Sequence, residues 1–110
     1  FTVVGDLAVT DACSSCGRIG TLRPDVVWFG EMPYHMDAIY SAMQAADLFV
    51  SIGTSGSVYP AAGFVQEARV SGIRTMELNL EPSDNAFAFD HAEYGLAGEI
   101  VPAWAANWDI

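Results

Sequence analysis

Leu48-Phe-Val-Ser-Ile-Gly-Thr-Ser-Gly-Ser-Val-Tyr-Pro-Ala-Ala-Gly-Phe-Val-Gln-Glu-Ala-Arg-Val-Ser-Gly-Ile-Arg-Thr-Met-Glu-Leu-Asn-Leu80 is the stretch on which the fold turns. Leu48, Phe49, Val50 and Ile52 form a short apolar run stopped by Gly53, the pattern of a strand buried on both faces. A polar loop to Pro60 leads into residues 61–70, where Phe64, Val65 and Ala68 mark a helical face and Gly72 a carboxy-terminal cap. Thr75, Met76, Leu78 and Leu80 then predict another strand. Working upstream, Met36, Ile39, Tyr40 and Met43 fall at helical spacing, with Asp37 near the positive end of the helix dipole. Before that helix, Val26, Val27, Trp28 and Phe29, closed by Gly30, read as a further buried strand. Working downstream, residues 81–85 form a turn, and residues 87–94 are ambiguous between helix and loop. Ile100 and Val101 suggest a short last strand, and residues 104–108 the start of a helix.

Strand, helix, strand, helix, strand with short connections is the signature of right-handed parallel βαβ units. The fold class expected is therefore α/β, with residues 25–110 forming one half of a doubly wound parallel, Rossmann-like sheet. Residues 1–24 have no helical period and read as a separate loop-rich knuckle. Tyr34 and Tyr40 are expected to be packing residues, and Met36 and Met43 to be core.

The balance of 4 Arg plus Lys against 14 Asp plus Glu, a formal net charge of −10, argues against nucleic acid and against an anionic membrane surface as partners. At 52% hydrophobic and 16% charged residues, the 110-residue chain has the composition of a globular domain. No apolar run approaches the roughly 18 residues of a membrane span. The chain starts at Phe1 without a basic, then apolar leader, so we expect a processed or excised piece of a cytoplasmic protein.

Cys13-Ser-Ser-Cys16 is a C-x-x-C pair in a turn-rich setting that ends at Arg23-Pro24. That spacing suits half of a four-thiolate zinc site better than a redox dithiol, which belongs at a strand end entering a helix; a surface turn without metal is the plain alternative. In parallel sheets, ligands bind beyond the carboxy-terminal strand ends. There Gly53, Thr54 and Ser55 offer a close backbone and two hydroxyls, and Asn79 with Glu81 an amide and a carboxylate suited to ribose hydroxyls. A nucleotide would fit both, although hydroxyls after a strand are equally ordinary helix caps.

Three stretches in order, Leu22-Arg-Pro-Asp-Val-Val-Trp-Phe-Gly-Glu-Met-Pro33, Ser51-Ile-Gly-Thr-Ser-Gly-Ser-Val-Tyr-Pro-Ala-Ala62 and Glu77-Leu-Asn-Leu-Glu-Pro-Ser83, closely resemble the carboxy-terminal half of sirtuins, and most closely the short bacterial NAD-dependent protein deacylases. The resemblance runs from about Cys13 to Pro102. It implies that Gly53, Thr54 and Ser55 contact the phosphate and ribose region of NAD, that Asn79, Leu80 and Glu81 hold the adenosine part, and that Ala97 lies beside the adenine. Leu96 stands where many relatives have Pro. Val27, Trp28, Phe29, Gly30 and Glu31 match the strand and loop that pair with the substrate peptide and line the acyl-lysine channel, with core packing an equal reading for Trp28 and Phe29. Cys13 and Cys16 match the second of two C-x-x-C pairs of a structural zinc module, of which residues 1–24 would be the remnant.

The implied reaction is protein-lysine deacylation of the deacetylase or desuccinylase type. NAD accepts the acyl group on its ribose and nicotinamide is released. Acylated-lysine proteins would be the substrates. No residue matches the catalytic histidine, since neither His35 nor His91 lies in a His-Gly pair, and the G-A-G-x-S and Q-N-x-D segments have no match either. The second partner implied is thus an upstream amino-terminal half of the enzyme. A non-catalytic nucleotide-binding or interaction module is the alternative.

Overall fold

The computed structural model describes residues 5–108. They fall into two compact units, one ending at Tyr34 and the other beginning at His35. Residues 25–34, which the sequence reading joins to the sheet, cluster with the amino-terminal unit.

In the second unit, α1 (Met36–Ala45) is followed by β1 (Leu48–Ile52), a 3₁₀ turn (Ala61–Gly63), α2 (Phe64–Val70) and β2 (Arg74–Asn79). A second 3₁₀ turn (Ala86–Ala88), β3 (His91–Tyr94) and α3 (Ala97–Ala106) complete it. The sheet has the order β1-β2-β3 and is parallel throughout. Leu48 lies beside Arg74 and Ile52 beside Leu78; Met76 lies beside His91 and Asn79 beside Tyr94.

The α/β, Rossmann-like expectation holds. The central strand β2 is buried from Thr75 to Leu78 because both of its edges are paired and both of its faces covered. Phe49, Ser51, Thr75 and Glu77 share one face by register, and there Phe49 and Ser51 line a common cavity with Phe64 and Val65 of α2. On the other face Leu48 and Met76 approach Trp104 of α3. Helix α1 reaches the core through Met43, which is buried with Ala68 and Ile73 against Ile39, Phe49 and Phe64. Met36 is only half-buried. Tyr40 packs edge-on against Phe64 with ring centroids 5.9 Å apart. Burial of side chains such as Leu78 and Val65 is worth about 1.5–3 kcal/mol each.

Three elements differ from the sequence reading. Residues 26–29 form no strand: the run bends into a turn at Trp28, and Val26, Trp28 and Phe29 are exposed, Phe29 by 91%, with Val27 half-buried. An apolar run becomes a strand only where a ladder partner meets it, and among the described residues none does. Core packing of Trp28 and Phe29 is therefore corrected. Second, the last strand is His91–Tyr94, not Ile100 and Val101, which lie inside α3. β3 has no apolar pattern because it is an exposed edge. It is held by long-range bonds: Asp90 Oδ2 accepts from Thr75 N at 3.0 Å and from Thr75 Oγ1 at 3.1 Å, while Asp90 N donates back to Thr75 Oγ1 at 2.9 Å. Third, Leu80 lies beyond the end of β2 and is exposed. The helix expected over 61–70 is present with a 3₁₀ first turn, and it ends at Val70, with Gly72 just beyond donating its N–H to Arg69 O at 3.0 Å.

Candidate functional site

Because the strands are parallel, the loops leaving β1, β2 and β3 emerge at one sheet edge. Gly53, Thr54 and Ser55 follow β1; Asn79 ends β2 with Leu80 and Glu81 beyond it; Ala97 opens α3 after β3. The two inner loops are tied together. Gly53 N donates to Leu78 O at 3.0 Å, Asn79 Nδ2 to Thr54 O at 2.7 Å, and Asp84 N to Ser55 O at 2.8 Å. Asn79 Oδ1 accepts from Leu80 N at 3.0 Å, so this one side chain shapes both loops. Gly95 N donates to Asn79 O at 3.0 Å and brings the third loop to the same place. Gly53, Thr54, Ser55, Leu80, Glu81 and Ala97 remain exposed, and Asn79 is half-buried. The rim thus offers hydroxyls, backbone groups, a carboxylate and an apolar side chain to a ligand lying across it.

Several supporting residues escape sequence reasoning. Asn85 donates to Ala62 O at 2.9 Å and accepts from Ser83 Oγ at 2.9 Å, and a Cβ on Gly56 would collide with its Oδ1. Gly56 also has φ +71°, so two independent constraints demand glycine there. Glu77 is fully buried beneath this edge and accepts the Tyr94 hydroxyl at 2.8 Å. That bond pushes the Tyr94 phenol up. A carboxylate inside the apolar run Met76-Glu77-Leu78 was the available signal for it.

In the amino-terminal unit, Trp28, Phe29, Gly30 and Glu31 form a turn closed by Glu31 N donating to Trp28 O at 3.0 Å. Gly30 stands at its third position with φ +87°, where glycine is favoured. Glu31 Oε1 accepts from Trp28 N at 2.9 Å, so the carboxylate closes the same turn a second time. Val27 is half-buried beside it. Tyr34 is exposed instead of packed, and its hydroxyl bond to Asp25 pushes the phenol up.

Cys13 and Cys16 lie in a tight hairpin. Ala12 bridges Ile19, Cys13 N donates to Arg18 O at 2.8 Å, and Gly17 N to Cys13 O at 2.7 Å. Backbone hydrogen bonding from Cys16 and then from Ser15 holds the Cys13 thiol below its ordinary range. A sulfur so cradled suits a metal-bound thiolate. Both cysteines are free thiols, and among the described residues no group of three or more His, Cys, Asp or Glu gathers to complete a metal site. Likewise, no helix of the described residues is long and apolar enough to cross a membrane.

Comparison with known proteins matches residues 4–60, just over half the chain, to the Sir2 family. The chain belongs to the Sir2 family. An NAD-dependent protein deacylase of Caulobacter vibrioides is 64% identical over 100 residues, which are 91% of this sirtuin chain and 42% of that protein. A crystal structure of a Sir2 homologue in complex with NAD superposes with a TM-score of 0.79 at 31% identity, covering 88% of this chain and 38% of the other. A Sir2 protein bound to a myristoylated histone peptide gives a TM-score of 0.72 at 32% identity, over 84% and 40%. The sirtuin chain spans less than half the length of these proteins.

Proposed function

We propose that this sirtuin chain supplies the adenosine side of the NAD site and one wall of the acyl-lysine groove in an NAD-dependent protein-lysine deacylase. The observation that carries the reading is the tied rim: Asn79 binding Thr54 O places the hydroxyl loop after β1 and the Asn79–Glu81 segment on one edge, as a ligand with phosphate and ribose hydroxyls requires. The names and complexes of the relatives support it. Gly53, Thr54 and Ser55 would meet the phosphate and ribose region, Asn79, Leu80 and Glu81 the adenosine, and Ala97 the adenine. Exposed Trp28 and Phe29, with Val27, Gly30 and Glu31, would line the peptide groove. When bound, NAD supplies an activated ribose carbon that takes the acyl group as nicotinamide leaves. No residue of this chain matches the general base, so turnover needs the histidine of an amino-terminal segment.

Cys13 and Cys16 are assigned to half of a structural zinc site, with two further ligands required from another segment. We place the protein in the cytoplasm, where a thiol pair that holds zinc stays reduced, and the substrates would be acetyl- or succinyl-lysine proteins.

The test is ADP-ribose binding and nicotinamide release. The chain itself should bind ADP-ribose, moving the amides of Gly53, Ser55 and Leu80, and should not turn over an acetyl-lysine peptide. Joined to the amino-terminal part of the Caulobacter deacylase, it should release nicotinamide. Binding without turnover in that fusion would favour a non-catalytic nucleotide-binding module; turnover by the chain alone, abolished by His35→Ala or His91→Ala, would overturn the division of labour.

A further inference from the structure

Arg23 makes an unusual number of contacts for an exposed side chain. Its Nη2 donates to Glu31 Oε1 at 2.8 Å and to Val26 O at 2.8 Å, and its Nη1 donates to Glu31 Oε2 at 3.3 Å. The guanidinium carbon lies 4.0 Å from the centre of the Trp28 ring. A single planar group thereby engages the carbonyl before the turn, the ring at its first residue and the carboxylate at its last. Only a guanidinium can do this, because its flat fork matches a carboxylate in two places while its face stacks on an indole. Glu31 in turn accepts from Trp28 N at 2.9 Å, so Arg23 acts on the backbone of the turn through Glu31.

Side chains of Arg23 and Glu31 are 41% and 43% exposed, and ion pairs so exposed add little to stability. What the clamp changes is the freedom of residues 26–31, which have no ladder partner among the described residues and which carry Phe29 at the tip of the turn. A binding loop held in one shape loses less entropy when its ligand arrives.

We propose that Arg23 is a positioning residue that presets the Trp28–Glu31 turn for an extended acyl-lysine peptide. This rests on the functional reading above, with residues 27–31 as a wall of the peptide groove. The bond from Arg23 to Glu31 is the means, and the peptide would meet the turn, not the guanidinium.

The experiment titrates an acetyl-lysine peptide onto the isotope-labelled full chain, following the amides of Trp28, Phe29 and Glu31 by NMR, with ADP-ribose titrated separately. In Arg23→Met, peptide affinity should fall about tenfold while ADP-ribose affinity stays unchanged. Arg23→Lys, which keeps a cation beside Glu31 and over Trp28, should lose about threefold. Undisturbed Ala12 and Ile19 amides report that the unit remains folded; should Arg23→Met unfold it, Arg23→Lys decides. Reversing the pair, Arg23→Glu with Glu31→Arg, should not restore binding, because arginine cannot accept from Trp28 N. Equal peptide affinity in wild type and a folded Arg23 variant would overturn the inference and leave the functional reading standing. A wild-type chain that binds ADP-ribose but shows no peptide shifts would overturn the groove assignment, and the role of Arg23 with it.

Discussion

Val26-Val-Trp-Phe-Gly30 and Leu48-Phe-Val-Ser-Ile-Gly53 are written alike, each a short apolar run stopped by glycine, and they fold differently. The second pairs along its length with β2 and packs Phe49 against the buried cluster of Met43, Ala68 and Ile73. The first leaves Trp28 and Phe29 exposed and is shaped by bonds that span eight residues or fewer. Around β1 and β2, by contrast, the bonds from Thr75 to Asp90, from Asn79 to Thr54 and from Asn85 to Ala62 span 15 to 25 residues. Apolar composition sets what a run can gain from burial; whether it is buried depends on an edge and a face coming to it from elsewhere in the chain.

The largest expected effect tests that contrast directly. Leu78→Ala, at a position 1% exposed, should destabilise the sheet unit by about 2–5 kcal/mol. Phe29→Ala should change stability by no more than about 0.5 kcal/mol, despite removing more carbon. Denaturant unfolding checks both, and comparable losses would break the comparison.

Next come the loops that follow each run. Gly56→Ala must adopt a positive φ and displace Asn85, so we expect a loss of about 1–3 kcal/mol together with weakened ADP-ribose binding. Gly30→Ala meets no atom within 4 Å and should carry only the backbone strain, leaving ADP-ribose binding intact. Asn79→Ala unties the β1 and β2 loops and should weaken ADP-ribose binding by roughly 1–3 kcal/mol with the fold retained. Calorimetric titration separates these outcomes from unfolding.

A smaller effect is expected with pH. Bonds from the backbone and then the hydroxyl of Thr75 hold the Asp90 carboxyl below its ordinary value. A depressed folded value means that its contribution is complete above the unfolded value of about 3.9 and is lost as the pH falls through the folded one. Acid should therefore release β3 only below about pH 3.9, and Asp90→Asn should flatten that dependence, as followed by β3 amide exchange. Smallest of all is the effect of Arg23→Met on the unfolding midpoint, expected to be immeasurable, since that exposed clamp orders a turn without supporting a core.

Periodicity and punctuation were enough for α1, β1, α2, β2 and the parallel α/β class, because each has a buried stripe or run that only burial explains. The rim residues Gly53, Thr54, Ser55, Asn79 and Glu81 were legible too, since a parallel sheet places its useful loops at the carboxy-terminal strand ends whatever else it does. Those are local rules, and sequence alone can apply them. β3 was not legible, because an exposed edge strand carries no hydrophobic pattern and is specified by the Thr75–Asp90 bonds across 15 residues. Nor could sequence tell Val26–Phe29 from Leu48–Ile52, or show that Gly56 answers to Asn85 and Thr54 to Asn79. Partners distant in the chain decide those features, and only tertiary structure brings such partners together.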